Sequence, residues 1–274
     1  MLPAVILLAL PLFAAEAPAP HRLAAPPPGM FVPPGRAITH VTGDVWRASN
    51  GGWYVGILDT PDGLLLVDTL NVPFATWLKA ELARQFPGKP VKYVILSHSH
   101  WDHTEGGKVF ADTATFIAQE GFLRNMDGRY PSLPGDIVDR NNDGWLDAAE
   151  FDDPGLARPW YCGGVGTIGQ KDNDGDGRMT PAEFFKDTPR PDIAYADRMT
   201  LRFGGKTIDL VFPGKNHAND GTAVLFRDES VLFTVAVCAA VSARHGFGFA
   251  DAGLAHDCPG WGWIATSRRR SPRR

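Results

Sequence analysis

The sequence predicts an α/β protein with a lobe inserted in its middle. Apolar runs typical of strands lie on both sides of residues 125–190, and helical stretches are mixed with those that precede this segment. Between those bounds Gly, Asp, Asn and Pro dominate, and the apolar periodicity fades. The chain has 274 residues, 44% of them hydrophobic, which is enough to bury one sizeable core.

The first residues are expected to precede the folded domain. Residues 1–15 hold an apolar run that is too short to span a bilayer comfortably and ends in small residues, which is typical of a signal peptide. Residues 16–37 are rich in Pro and Ala and predict a flexible linker. We therefore expect an exported protein, periplasmic or secreted, without a membrane span in the mature chain. The alternative for the apolar run is a buried N-terminal segment.

The first half of the globular part predicts three strands and a helix, followed by a second step from helix to strand. Residues 54–58 and 63–68 are apolar runs around a Thr-Pro-Asp-Gly turn, which predicts a hairpin. Residues 74–86 carry apolar side chains at helical spacing, and residues 91–96 predict a buried strand. Residues 109–116 predict another step from helix to strand.

The second half predicts four more strands and a loop. Residues 199–203 and 207–212 flank a Gly-Gly pair and predict a hairpin, and residues 223–226 and 231–235 predict two strands. The last residues, 259–274, are rich in arginine and carry no strand pattern, so we expect an irregular basic tail.

Composition narrows the function classes. The formal net charge is -4, and the strong basic cluster is confined to the last seven residues, so a nucleic-acid partner is not expected. The three cysteines, Cys162, Cys238 and Cys258, lie far apart without CxxC spacing, and their odd number cannot complete a set of disulfides. We therefore expect a small-molecule substrate, and assign the cysteines no metal.

The most specific pattern follows directly on the strand at residues 91–96. His98, His100, Asp102 and His103 fall within six residues, and imidazole and carboxylate are ligands that zinc accepts. In an extended backbone the first two histidines point to the same side and can chelate one ion. The aspartate and the last histidine lie on the following turn and can reach a second ion. The alternative is a polar surface loop.

With the loop that begins at His217 and continues Ala-Asn-Asp-Gly, this run resembles the metallo-β-lactamase superfamily. The resemblance covers roughly residues 38–116 and 193–235. It implies an αββα sandwich, built from residues 38–124 and 191–258, with the lobe at residues 125–190 inserted.

The resemblance also implies a set of roles. His98, His100 and His217 would hold the first zinc, and Asp102 and His103 would hold the second. Asp68 would support these ligands from behind, although it can also be a buried strand-end aspartate that caps the next loop.

A metal-bound hydroxide would attack an ester, thioester, lactone or lactam-type bond, with one or two zinc ions as cofactor. Asp102 would orient that hydroxide as well as bind metal.

The family pattern breaks towards the C-terminus. Ala236 stands where the family has an aspartate that bridges two metals, and the last metal histidine of the family has no counterpart. His245 and His256 lack the expected context, and we interpret them as ordinary polar residues. We expect an incomplete sandwich with a weakened second metal site, and interpret the tail as the product of a truncation or reading-frame shift.

Two acidic loops in the lobe match the EF-hand calcium pattern, which predicts two calcium ions. The first loop offers Asp139, Asn141, Asp143, the carbonyl of Trp145, Asp147 and Glu150. The second offers Asp172, Asp174, Asp176, the carbonyl of Arg178 and Glu183. Leu146 and Met179, at position eight of each loop, are expected to pair as a short strand. The alternative is a pair of solvated acidic turns.

Two functions follow from these patterns. The first is an exported metal-dependent hydrolase with a calcium-binding insertion that acts as a structural clamp. The second is a calcium-binding module on a degenerate, non-catalytic scaffold of the same superfamily.

Overall fold

The computed structural model describes residues 35–51, 53–127, 173–176, 180–214 and 218–235, and the backbone of strands at residues 146–147, 178–179 and 262–266. The predicted signal peptide, nearly all of the predicted linker and most of the first acidic loop lie outside these residues. No helix in this described part has both the length and the apolar character needed to cross a bilayer.

The strands are, in chain order, β1 (Ala37–Thr42), β2 (Val45–Asn50), β3 (Trp53–Thr60), β4 (Gly63–Val67), β5 (Val91–Ile95), β6 (Thr115–Gln119), β7 (Leu146–Asp147), β8 (Arg178–Met179), β9 (Ile193–Tyr195), β10 (Arg198–Phe203), β11 (Lys206–Val211), β12 (Ala223–Phe226), β13 (Val231–Val235) and β14 (Gly262–Thr266). The helices are α1 (Val72–Gln85), α2 (Trp101–Thr104), α3 (Glu120–Met126) and α4 (Pro181–Phe184), and a 3₁₀ helix spans Glu105–Phe110.

The first sheet has seven strands in the order β1-β2-β3-β4-β5-β6-β9. Pairing is antiparallel from β1 to β4 and parallel from β4 to β9. Because parallel strands end at the same edge of a sheet, the segments that follow β4, β5 and β6 meet there, which is where ligands bind in open α/β sheets.

The second sheet has five antiparallel strands in the order β10-β11-β12-β13-β14. Its inner face packs on the first sheet through buried side chains such as Leu58, Leu65, Ile208, Leu210 and Phe233. These side chains alternate along each strand with residues that point away, so one apolar face per strand builds the core between the sheets.

The other face of the first sheet is covered by helices. Phe74, Leu78 and Leu82 of α1 are buried in this second core together with Phe110 and Phe122. The described part of the chain thus has three layers of the expected αββα sandwich. No helix in that part covers the outer face of the second sheet.

The structure confirms the two hairpins, the strands after them and the helix predicted at residues 74–86. That helix begins two residues earlier, because the Asn71 side chain accepts a hydrogen bond from the backbone N–H of Phe74 at 3.0 Å. It ends before Phe86, ahead of a Pro-Gly pair that cannot continue it.

Two expectations about boundaries need correction. Residues 262–266 of the expected irregular tail form β14, which pairs with all five residues of β13, so that β13 is not the edge of its sheet. Their Gly-Trp-Ile-Ala-Thr sequence is rich in strand-forming residues. The insertion does not begin at residue 125, since α3 continues to Met126 and Asn125 is buried.

The predicted strand pairing between the two acidic loops is present. Leu146 pairs with Met179 and Asp147 with Arg178 in a two-stranded antiparallel sheet. Helix α4 follows directly, begun by a capping box between Thr180 and Glu183.

Candidate metal centre

The histidine-rich run lies at the carboxyl edge of the first sheet. After β5, Ser97 accepts a hydrogen bond at its carbonyl from the backbone N–H of Thr222 at 2.7 Å, which ties the run to the loop before β12. His100 is still extended, with φ -68° and ψ 135°, and α2 begins at the next residue. The change from strand to helix therefore occurs inside the predicted ligand set.

The structure brings the four predicted ligands of this run together. The ring centroid of His98 lies 4.4 Å from that of His100 and 4.7 Å from that of His103. Asp102 Oδ2 lies 3.6 Å from His103 Nε2. His98 and His103 are 2% and 1% exposed, so the cluster is not the polar surface loop that was the alternative interpretation.

Asp68, directly after β4, lies behind this cluster and is fully buried. Its Oδ1 accepts from the backbone N–H of Ser97 at 2.8 Å, and its Oδ2 accepts from the Ser97 hydroxyl at 2.8 Å. Its Oδ2 also lies 3.0 Å from His103 Nδ1. The carboxylate therefore both fixes the loop after β5 and supports a predicted ligand, so the two interpretations of Asp68 coexist.

These contacts define which ring nitrogen of His98 and of His103 is free to bind a metal ion. A carboxylate only accepts, so His103 Nδ1 must be the donor to Asp68. The Ser97 hydroxyl donates its one hydrogen to Asp68, so it can only accept from His98. His98 Nδ1, which lies 2.9 Å from that hydroxyl oxygen, must therefore be the donor. In the neutral rings Nε2 then carries the lone pair, and a buried N–H donor on the far side is the usual support of a metal-binding histidine.

The negative charges around His103 favour a positively charged group at this position. Burial alone would lower the pKa of its imidazole, but the Asp102 charge and the Asp68 hydrogen bond outweigh that effect and raise the pKa above the ordinary value. The site therefore favours a positive charge at this position, and a divalent cation would take the place of the proton.

The segment between β4 and α1 holds the backbone of the cluster. The N–H groups of Thr69 and Leu70 both donate to the carbonyl of His103, at 2.9 and 3.0 Å. Asp68 and Leu70 adopt positive φ values of 69° and 55°, a strained conformation for residues with a side chain. A side chain at Gly106 would come within 2.8 Å of the Thr69 carbonyl, so glycine is required where the two segments cross.

Residues that follow His217 contact the elements that hold the histidine run. His217 itself lies outside the described residues, but Asn219 exchanges amide hydrogen bonds of 2.9 and 3.2 Å with Asn125 of α3. Asn125 also donates to the Ser99 hydroxyl at 2.8 Å. One buried amide thus connects the histidine run to the residues that follow His217.

A buried tyrosine fixes the end of the same loop. Tyr195 of β9 donates to the Thr222 hydroxyl at 2.8 Å. Burial raises the pKa of its phenol well above the ordinary value, and the nearby Asp220 charge adds to the shift. The tyrosine therefore stays neutral and acts as a structural donor.

Some predicted residues cannot be placed, and some contacts have no sequence signal. His217, Ala236, His245 and His256 lie outside the described residues. The indole N–H of Trp53 donates to Asp102 Oδ2 at 3.0 Å. No sequence motif predicts this contact, because the two residues are 49 positions apart. Asn125 was missed for the same reason.

Within the described part, no group of three or more His, Cys, Asp or Glu side chains stands ready to hold a metal ion. The donor set nevertheless fits zinc in chemistry. It offers three imidazoles and a carboxylate, mostly buried, and two of the imidazoles are oriented through Nδ1 by a carboxylate or a hydroxyl.

The second acidic loop is organised differently. Residues 173–176 are exposed. Glu183 accepts from the Thr180 N–H and hydroxyl, both at 2.8 Å, and from the Asn173 N–H at 3.0 Å. Asp174 accepts from the Asp176 N–H at 3.2 Å. The closing glutamate therefore binds the loop's own backbone, while Asp172 and the side chains of the first loop lie outside the described residues.

Residues 51–119 match the model of the metallo-beta-lactamase superfamily. The matched segment runs from β3 to β6 and contains Asp68 and the whole histidine run, which are the residues whose geometry is given above. The match supports membership of the superfamily.

Individual relatives are distant. The α subunit of 2,4-dinitroanisole O-demethylase from Nocardioides sp. (strain JS1661) is 24% identical over 212 residues, which are 77% of this chain and 49% of the relative, so the chain spans about half the length of that relative. A metallo-beta-lactamase from Pontibacter korlensis is 16% identical with a TM-score of 0.43, over 72% of this chain and 70% of that one. The subclass B3 enzyme BJP-1 of Bradyrhizobium japonicum is 16% identical with a TM-score of 0.44, over 73% and 57%.

Proposed function

We propose that this chain is a metal-dependent hydrolase that acts on an ester, thioester, lactone or lactam-type bond. The observation that carries the proposal is the cluster of buried His98, Asp102 and His103 with the half-buried His100, supported from behind by Asp68. Two imidazoles and two carboxylates are seldom buried together unless their charge is balanced, and a divalent cation supplies that balance.

The proposed ligand roles follow the resemblance. His98 and His100, with His217, would hold the first zinc, and Asp102 and His103 would hold the second. When bound, zinc would acidify a water molecule to near neutral pH and polarise the substrate carbonyl. The chain's own residues orient the reactants.

Asp68 keeps His103 in the tautomer that presents Nε2, and through Ser97 it does the same for His98. Asp102 lies at the edge of the cluster and would orient the attacking water as well as bind metal. Because Ala236 replaces a carboxylate of the family pattern, we expect the second zinc to bind more weakly than the first.

The test is hydrolysis by the purified full chain, loaded with zinc, of a panel containing one ester, one thioester, one lactone and one lactam. The relative's printed name, an O-demethylase, makes 2,4-dinitroanisole a sensible fifth substrate. We expect turnover of at least one substrate, and a loss of about 10²-fold or more in Asp102→Ala, because positioned acid–base groups contribute about that much.

Asp112→Ala is the matched control, since Asp112 is an exposed aspartate paired with Lys79 at the surface. Its activity should equal that of the wild type. Zinc-loaded protein that turns over none of the panel, or turnover that survives both zinc removal and Asp102→Ala, would contradict the proposed hydrolase.

A second function, a calcium-binding module on a degenerate scaffold, is favoured by the strand pair that joins positions eight of the two acidic loops. The comparisons with known proteins give calcium no support, so this reading rests on the loop sequences and that pairing. The apolar run at residues 1–15 supports export. Calcium sites of extracellular proteins typically have Kd values up to about 1 mM. Protein that binds calcium, takes up no zinc and hydrolyses nothing would favour this second function.

A further inference from the structure

The indole of Trp53 makes a contact with the histidine cluster that neither the motif nor the proposed function uses. Its N–H donates to Asp102 Oδ2 at 3.0 Å, across 49 positions of sequence. The same oxygen lies 3.6 Å from His103 Nε2. The indole of Trp53 and the imidazole of His103 therefore both lie next to the same oxygen of Asp102. Asp102 is the only carboxylate among the predicted zinc ligands.

We propose that Trp53 is a positioning residue that holds the Asp102 carboxylate in the orientation needed for the second zinc. The inference rests on the proposed metal-dependent function and deepens it. An indole has one donor and no acceptor, so it cannot itself bind the metal. It is also neutral, so the negative charge of Asp102 remains available to a cation.

The environment of Trp53 suits this role. The residue lies at the first position of β3, paired with Asn50 of β2, and its ring packs on the buried core beneath α1. A ring held by a strand and by a core has little freedom, so the hydrogen bond costs little conformational entropy. Hydrogen bonds to a carboxylate are stronger than neutral ones, which makes this bond an effective restraint.

The departure from the family pattern makes the restraint important. With Ala236 in place of the bridging aspartate that the resemblance implies, a second zinc would have fewer donors and would depend more on each remaining one. Residues that orient a ligand from outside the coordination sphere change metal affinity by about 10–100-fold when removed. Trp53 is placed to exert such an effect on Asp102 through this hydrogen bond.

The first test concerns the contact itself and uses metal-free full-length protein. Eight tryptophans give eight indole ¹H–¹⁵N signals, and Trp53→Phe identifies the signal that disappears. Asp102→Asn keeps Trp53 and removes the carboxylate charge. We expect the Trp53 signal to move in this variant, and the proposal is overturned if it stays where it is in the wild type.

The second test is zinc titration of wild type, Trp53→Phe and Trp46→Phe against a competing chelator. Trp46 is the control, since it is a partly buried tryptophan on the neighbouring strand whose ring contacts His40 and Phe86 instead. We expect Trp53→Phe to weaken the second zinc about tenfold. The first zinc, and both in Trp46→Phe, should keep the wild-type affinity.

The outcomes separate the two ideas. If the wild type binds zinc and Trp53→Phe binds it equally well, or loses affinity equally at all equivalents, the role of Trp53 is overturned while the hydrolase stands. If the wild type binds no zinc at all, the proposed function fails, and with it the role of Trp53 at a metal.

Discussion

The histidine cluster and the second acidic loop both collect metal-binding side chains, but they are held in opposite ways. His98, Asp102 and His103 are buried, and their supports come from distant parts of the sequence. In the acidic loop, residues 173–176 are exposed, and Glu183 accepts hydrogen bonds from the backbone of Asn173 and Thr180, at most ten residues away.

The difference has a physical consequence. The cluster depends on the whole fold, because contacts across 35 and 49 positions exist only when the sheet is formed. The hydrogen bonds that Glu183 accepts from residues 173 and 180 are local to the acidic loop, which also pairs residues 178–179 with residues 146–147. Metal binding at the two places should therefore be separable by mutation.

Asp68→Ala should give the largest effect at the cluster. It leaves three buried donors without their acceptor, at a cost of about 3 kcal/mol in the free energy of unfolding. Zinc affinity should fall about 10–100-fold. Urea unfolding of metal-free protein and chelator competition measure the two quantities.

Asp62→Ala is the control, since Asp62 is an exposed aspartate in the β3–β4 turn. Calcium binding should be the same in both variants. An Asp68→Ala protein with wild-type stability and zinc affinity would mean that the cluster is not supported from behind.

Glu183→Gln should change metal binding at the second acidic loop and leave the histidine cluster unaffected. Glutamine retains the capping box of α4, so the local fold survives, while the loss of charge should push the calcium Kd of this loop beyond about 1 mM. Zinc affinity should not change. Calorimetric titration of calcium into both proteins checks this, and equal calcium affinity with and without the Glu183 charge would exclude an EF-hand-type site at this loop.

Asn125→Ala should have an intermediate effect, because it removes the amide that joins the histidine run to the residues after His217. We expect a loss of about 1–3 kcal/mol in stability and a weaker first zinc. Arg124→Ala is the control, since its exposed ion pair with Glu120 on the same helix is worth about 0.5 kcal/mol. A first zinc that binds Asn125→Ala as tightly as wild type would show that the two loops do not depend on this amide.

Tyr195→Phe should have the smallest effect on the free energy of unfolding, with a size that depends on pH. Near neutral pH the lost bond to Thr222 should cost about 1 kcal/mol. The pKa of Tyr195 is raised in the folded protein, so as pH rises through 10.0, the ordinary value, the unfolded chain ionises first and the wild type loses stability.

Phenylalanine cannot ionise, so the stability difference between the two proteins should shrink above pH 10. Urea unfolding at neutral and alkaline pH measures it. A difference that stays constant over this range would contradict the burial of a neutral phenol.

Local patterns gave the parts of this fold that local physics determines. Strands β12 and β13 have the predicted bounds, and α1 differs mainly by the Asn71 cap, because periodicity and capping act over a few residues. The histidine run could be found because its ligands are adjacent in sequence.

The remaining features depend on distant contacts. The bond from Trp53 to Asp102 and the amide pair of Asn125 and Asn219 span 49 and 94 positions, and no local pattern encodes them. Strand β14 was missed because its five residues are too few to show an apolar alternation between the neighbouring Gly and Arg residues. These five residues pair with β13, which lies far from them in sequence.

Elemental analysis of the purified full chain tests the central claim most directly. Wild type should carry zinc, and the double variant His98→Ala, His100→Ala should carry none while its calcium content stays the same. Wild-type protein that contains calcium alone, or a double variant that keeps its zinc, would contradict a metal centre at the carboxyl edge of the first sheet.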